Sequence, residues 1–284
     1  MTTTSAVSST TIDAAGVPLA ARVAEAPGDP RALIVAIHGG TYDSEYFHVG
    51  ADSLLALAPG HGCTVVAIDR PGYGGSATVP AERLGFDEQS TLLAAAVDAL
   101  RARYDLPTVL IGHSIGGMLA LLTAAKTAAA PAGVEISGLG ELWQPGIREM
   151  WGGLRGDAPA IALPAEAHAS VMLGPDGSFT PAHVARDAEL LRPMPMPELY
   201  DVVDWADRLP AVGASVTAPV QVTFAEHDKI WRSDDEARAA LARHFTAGPI
   251  DVRVMGGVGH SIELHACARE YTLAQLDFVE RSIA

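Results

Sequence analysis

Five apolar runs of strand length punctuate the chain, at residues 32–37 (ALIVAI), 64–68 (TVVAI), 108–111 (TVLI), 220–224 (VQVTF) and 250–255 (IDVRVM). A sixth is predicted over 134–139. Runs without a polar face belong to strands covered on both sides, as in a parallel sheet. Between them apolar residues recur at three- and four-residue steps. This spacing predicts helices over 86–104, with Asp87 as N-cap, and over 233–245, with Ser233 as cap. Residues 115–130 are apolar nearly all round, as in a buried helix, and 264–283 closes the chain as a further helix. Two short alternating runs, 5–12 and 19–24, flank the turn-like DAAGVP and read as an N-terminal hairpin.

Strands alternating with helices predict an α/β architecture whose sheet is packed on both faces. In open sheets of this kind ligands bind beyond the carboxyl ends of the strands. Here those ends carry HGG, DRPG, GHS, AEHD and GGVGH, so the chemically able residues share one edge. Residues 141–216 break the alternation. They are rich in proline (PMPMPE) and hold Trp143, Trp151 and Trp205, three of the four tryptophans. The reading is a core of 1–140 and 217–284 interrupted by a mostly helical insertion over 141–216, within what 284 residues allow.

Composition narrows the partners. The chain is 49% hydrophobic, enough for a large core and too much for disorder. With 34 acidic against 19 basic residues the net charge is −15 and no basic stripe occurs, which disfavours nucleic acid and anionic membranes. Two cysteines make no disulfide framework, the start MTTTSAVSSTT lacks the marks of a leader, and no unbroken apolar run is long enough to span a bilayer. The expectation is a cytoplasmic protein acting on a small molecule.

The chemistry starts at Gly112-His113-Ser114-Ile115-Gly116, between a buried strand and an apolar helix. In that setting a sharp turn needs flanking glycines and exposes the serine at the sheet edge. A serine hydroxyl needs an imidazole base, and the base needs a carboxylate to hold its tautomer. Asp228, ending VQVTF in AEHD, and His260, following IDVRVM in GGVGH, lie at strand ends on the same edge, in the order Ser, acid, His. Backbone N–H donors for an oxyanion come from Ile115 and from Gly40 or Thr41 in HGGT. Rivals are Glu226 and Glu141 for the acid, and His227 and His265 for the base. His265 is placed inside the last helix, and Ser261 is read as a loop residue because Glu263 stands where a glycine is needed. His38 is read as a buttress of the oxyanion loop. No histidine spacing suits a metal, and the DRPGYGGS turn lacks the GK[ST] of a phosphate loop, so neither metal nor cofactor is expected.

Together HGG, DRPGYGGS, GHSIGG, AEHD and GVGH, spanning 38 to 260, resemble the α/β-hydrolase fold with a cap inserted after the sixth strand. The resemblance implies an eight-stranded, mostly parallel sheet with the second strand antiparallel. It implies Ser114, Asp228 and His260 at the triad positions. The acid loop begins with Ala225 where the family usually has glycine. A serine nucleophile disfavours the dehalogenases and epoxide hydrolases of this fold, which carry aspartate there. The insertion is the natural lid, with His113, Trp143, Met150, Trp151 and Trp231 as candidate pocket residues. Met172, Met194 and Met196 are further possibilities, and all of them suit a largely apolar acyl substrate. Arg148, Arg155 and Arg192 are candidates to anchor a carboxylate or, failing that, solvated surface residues. Three functions fit: hydrolysis of an ester, thioester or lactone; acyl transfer, elimination or cyclisation in a biosynthetic pathway; and ligand binding by a quiescent receptor of the same fold.

Overall fold

A computed structural model describes residues 6–284. The expected start of the hairpin at Ser5 lies outside them, as do the first five residues of the segment read for a leader. The strands are β1 (Ser8–Ala14), β2 (Val17–Ala24), β3 (Ala32–Ile37), β4 (Cys63–Ile68), β5 (Thr108–His113), β6 (Gly133–Ser137), β7 (Ala160–Ile161), β8 (Met194–Pro195), β9 (Val220–Ala225) and β10 (Ile250–Met255). The helices are α1 (Leu54–Leu57), α2 (Phe86–Tyr104), α3 (Ile115–Ala124), α4 (Ile147–Gly152), α5 (Ala165–Met172), α6 (Pro181–Leu190), α7 (Met196–Val203), α8 (Trp205–Ser215), α9 (Asp235–Ala242) and α10 (Ala268–Ile283).

Eight strands form one sheet in the order β1-β2-β4-β3-β5-β6-β9-β10. Strand β2 runs antiparallel to both neighbours, and every pairing from β4 to β10 is parallel. Period-two alternation sends Leu33, Val35 and Ile37 into the cluster shared with α2 and α3. Ile34 and Ala36 face the opposite cluster, with α1 and α10. Both faces of the central strands are thus covered, as their apolar runs require; β10, read as a fifth buried run, is instead the edge strand, with Asp251 and Val254 exposed and no residue fully buried. The hairpin turns at Ala15 and Gly16, both at positive φ, while Asp13 Oδ1 accepts the Gly16 N–H at 2.6 Å.

Tertiary contacts moved several element ends. Helix α2 spans 86–104 as read, but its cap position is Gly85 and not Asp87; its first amide, Phe86 N–H, is taken by Asp201 of α7 at 2.8 Å, and Asp87 sits in the first turn. Helix α3 stops at Ala124 instead of running to 130, because the chain must return to the sheet, where Ala132 N–H donates to Thr108 O. Asp234, not Ser233, caps α9 by accepting from Ala237 N–H; the Ser233 hydroxyl donates to Glu226 O. The last helix begins at Ala268, so His265 precedes it. His265 Nε2 accepts the amides of Gly174 at 2.9 Å and Gly259 at 3.1 Å.

Between β6 and β9 the chain leaves the main sheet and forms α4 to α8 and a short two-stranded antiparallel sheet of β7 and β8. Trp205 and Leu209 of α8 join the cluster that holds α3. Among the described residues no helix is long and apolar enough to cross a membrane.

Candidate active site

Ser114 stands between β5 and α3 with φ 55° and ψ −123°. This is a costly backbone for a side-chain residue, and it survives where surrounding packing leaves no alternative. The packing is visible. A Cβ on Gly116 would drive into the carbonyls of Ile37 and His38, and one on Gly112 would meet Gly116 O at 2.5 Å. Ser114 N–H is tied to Ser137 O at 2.8 Å, locking the turn onto β6. The glycines that flank the serine are therefore required by strand–helix contact.

The loops after β9 and β10 bring the other two residues. Ser114 Oγ lies 2.9 Å from His260 Nε2, and His260 Nδ1 lies 2.9 Å from Asp228 Oδ2. Asp228 Oδ1 accepts the backbone N–H groups of Ile230 (2.8 Å) and Trp231 (3.2 Å). The carboxylate is thus oriented on both oxygens. Gln144, at the start of the helical segment, ties this loop down by donating to Asp228 O at 2.8 Å.

The structure sets the rivals elsewhere. Glu141 pairs with Arg243 and His244. Glu226 is half exposed, receives Gly257 N–H, and has His227 beside it. Ser261 is buried, 3.2 Å from the Tyr42 hydroxyl.

His38 is buried behind the HGG loop. Its Nε2 accepts Arg70 N–H at 3.0 Å, and burial, then the Arg70 charge, holds it well below its ordinary pKa. Arg70 in turn donates Nε to His38 O (2.9 Å) and Nη2 to Gly39 O (3.0 Å). Its charge is met by Glu198 of α7 at 2.6 Å, both side chains being fully buried. Glu198 also accepts from Tyr73 and Gln89. The DRPGYGGS turn is thus a clamp on the HGG loop.

Ser114 opens into a small cavity lined by Gly40, Thr41, Ile115, Trp143, Trp151 and Trp231, with Met118, Met172, Met194, Val202 and Ile230. The indoles of Trp143 and Trp231 pack 4.0 Å apart. Two expected pocket residues are not there. His113 is buried beneath the site, stacked on Tyr46 at 4.8 Å and bonded to Ser137 Oγ at 3.1 Å. Burial, then His260, keeps its imidazole well below its ordinary pKa. Met150 points outward from α4, 47% exposed, and Met196 is core. Nor does an arginine face the cavity as a free anchor: Arg148 pairs with Asp207, Arg155 with Asp204 and Arg192 with Asp43. The cavity wall is largely apolar.

The sequence profile of the alpha/beta hydrolase family matches residues 34–270. The chain belongs to that family. Among its relatives, 2-succinyl-6-hydroxy-2,4-cyclohexadiene-1-carboxylate synthase of Salmonella typhimurium is 30% identical over 112 residues, 39% of either chain. Phospholipase YtpA of Bacillus subtilis is 37% identical over 92 residues, 32% of this chain and 34% of that one. The matches thus span well under half the length of these relatives. The fold is shared along the whole chain with a thermostable carboxyl esterase from Bacillus coagulans (TM-score 0.72, 19% identity, 100% of both chains). It is shared equally with monoglyceride lipase from Saccharomyces cerevisiae (TM-score 0.74, 15% identity, 99% and 97%).

Within this family member, sequence reasoning missed Arg70, Glu198, His168 and Asp187. Arg70 carried a faint signal, a cation between a buried strand and Pro-Gly. The other three sit in helices with nothing local to distinguish them.

Proposed function

We propose that this protein is a serine hydrolase that cleaves an ester, thioester or lactone of a mostly apolar small molecule through an acyl-enzyme. The observation that carries this reading is the continuous relay from Ser114 Oγ through His260 to Asp228, opening on an apolar cavity. His260 Nε2 takes the serine proton as Oγ attacks the carbonyl carbon. The backbone N–H groups of Ile115 and Gly40 hold the oxyanion; Gly40, without a side chain, lets the loop close against Ile115. His260 then returns the proton to the leaving oxygen or sulfur, and the acyl-enzyme is resolved by a water that His260 activates in turn. Asp228 keeps the Nδ1–H tautomer and supports the imidazolium. The helical segment acts as a cap that supplies Trp143, Trp151 and Met172 and excludes bulk water.

A second reading, in which the same residues serve a non-hydrolytic step, is supported by the local likeness to the cyclohexadiene carboxylate synthase. The test is a panel of p-nitrophenyl esters of graded acyl length, together with a fluorophosphonate probe read by mass at Ser114. Ester turnover with labelling at Ser114 is expected. Labelling without turnover of any ester would favour the non-hydrolytic reading. A folded protein that neither turns over nor labels would overturn both and leave a ligand-binding receptor.

A further inference from the structure

From Thr41, in the wall of the same cavity, a second hydroxyl–imidazole–carboxylate chain runs inward. Thr41 Oγ lies 2.9 Å from His168 Nε2, and His168 Nδ1 lies 2.9 Å from Asp187 Oδ2. The other Asp187 oxygen accepts the Tyr42 hydroxyl at 2.7 Å, which in turn is 3.2 Å from Ser261 Oγ, next in sequence to His260. All five side chains are buried, none more than 3% exposed. His168 belongs to α5 and Asp187 to α6, both in the helical segment, whereas Thr41 lies on the loop after β3.

Thr41 is also strained. Its φ of +64° places a β-branched residue in the left-handed region, where such side chains are rare. Strain of this kind persists only when the surroundings over-determine it. Both ends of the residue are held from the helical segment: Oγ by His168, and the carbonyl by Arg192 N–H at 2.7 Å.

We propose that His168, oriented by Asp187, is a positioning residue for the oxyanion loop: by holding the Thr41 hydroxyl it fixes the backbone turn that aims the neighbouring Gly40 amide at the reacting oxygen. The inference rests on Ser114 being the nucleophile. It makes the helical segment part of the machinery, since the residues that shape the loop come from α5 and α6. Through Tyr42 and Ser261 the same carboxylate also sets the spacing between the oxyanion loop and the histidine loop.

The experiment compares Thr41→Val, Thr41→Ser, His168→Leu and His168→Gln with the unaltered protein. Four quantities are read: kcat and KM for a short p-nitrophenyl ester, the rate of Ser114 phosphonylation, and Tm. Thr41→Val and His168→Leu are expected to lower kcat and phosphonylation together by about 10- to 100-fold, with KM changed by less than about threefold, as for a weakened oxyanion donor. Thr41→Ser keeps the hydroxyl and His168→Gln keeps a polar group at the Nε2 position, so both are expected to recover most of the rate. Thr41→Val conserves shape and decides the matter if His168→Leu does not fold. Folded Thr41→Val with kcat within about twofold of the parent, or a loss confined to KM or Tm, would overturn the inference. If the unaltered protein neither turns over esters nor labels, the nucleophile reading fails and this one with it. A reactive parent with unaffected variants removes this one alone.

Discussion

Two chains of hydroxyl, imidazole and carboxylate start from residues in the wall of one cavity and have the same 2.9 Å spacings, yet they are built differently. In the first, all three residues stand on loops at the carboxyl ends of β5, β9 and β10, and Ser114 sits at the start of α3, partly open to the cavity. In the second, only Thr41 comes from the sheet; its partners lie on helices outside it, and the set is sealed. A relay by itself therefore does not make a nucleophile. Under the proposed function, access to substrate and amides facing the attacked carbonyl make the difference, and Ser114, partly open to the cavity at the start of α3, is the hydroxyl placed for both. The sealed chain is suited to holding a shape.

The sharpest way to break the comparison is Ser114→Ala, expected to lower kcat by about 10⁴- to 10⁶-fold in steady-state ester turnover with Tm unchanged within a few degrees. Retention of near-parental turnover would erase the distinction. Next comes the matched pair Asp228→Asn and Asp187→Asn. The first is expected to cost about 10⁴-fold in kcat by presenting the wrong imidazole tautomer. The second is expected to cost about tenfold, since it acts only through the loop. Equal losses would mean that the two chains share one role.

Glu198→Ala tests whether the oxyanion loop is also held from the Arg70 side. Leaving Arg70 charged, buried and unpaired should destabilise the fold by about 3–5 kcal/mol in urea unfolding. A loss below about 1 kcal/mol would show that water or another group replaces the partner.

The smallest effect concerns Glu263, two residues beyond Ser261, whose carboxyl accepts the Tyr46 hydroxyl. Burial pushes its pKa up to about 7. A folded-state value above the unfolded one means that the folded form holds the proton more tightly. Stability is then full below about pH 4.5 and declines as pH rises through about 7. Glu263→Gln removes that decline, so the variant's Tm should fall less than the parent's between pH 5 and 8. An identical pH slope in both proteins would show that Glu263 titrates normally. Glu135, buried on β6 and likewise raised to about 7 by burial, adds a slope that the substitution leaves in place.

Much of this was legible in residue order. Ser114, Asp228 and His260, which the structure joins in series at 2.9 Å, could be picked out because each follows a strand end punctuated by glycine or a turn, and the parallel sheet puts those ends on one edge. Trp143, Trp151 and Trp231 were named as pocket residues and do line the cavity; His113 and Met150 were named and do not. The difference is side-chain direction: a residue beside the serine can point under the sheet, and a helix in the inserted segment has an outer face that hydropathy does not mark. Helix caps went astray for a similar reason. Asp87 had the right chemistry for a cap, but Asp201 reached the amide first.

By itself the order of residues determined the sheet, the strand ends and the three residues gathered there, because burial and backbone geometry act locally and repeat along the chain. Only the tertiary structure decided that Glu198 would neutralise Arg70, that His168 and Asp187 would reach Thr41, and which aromatic faces would enclose the cavity. Such pairings join groups more than a hundred positions apart in sequence. Their energy comes from desolvation and contact, which exist only once the helices have docked.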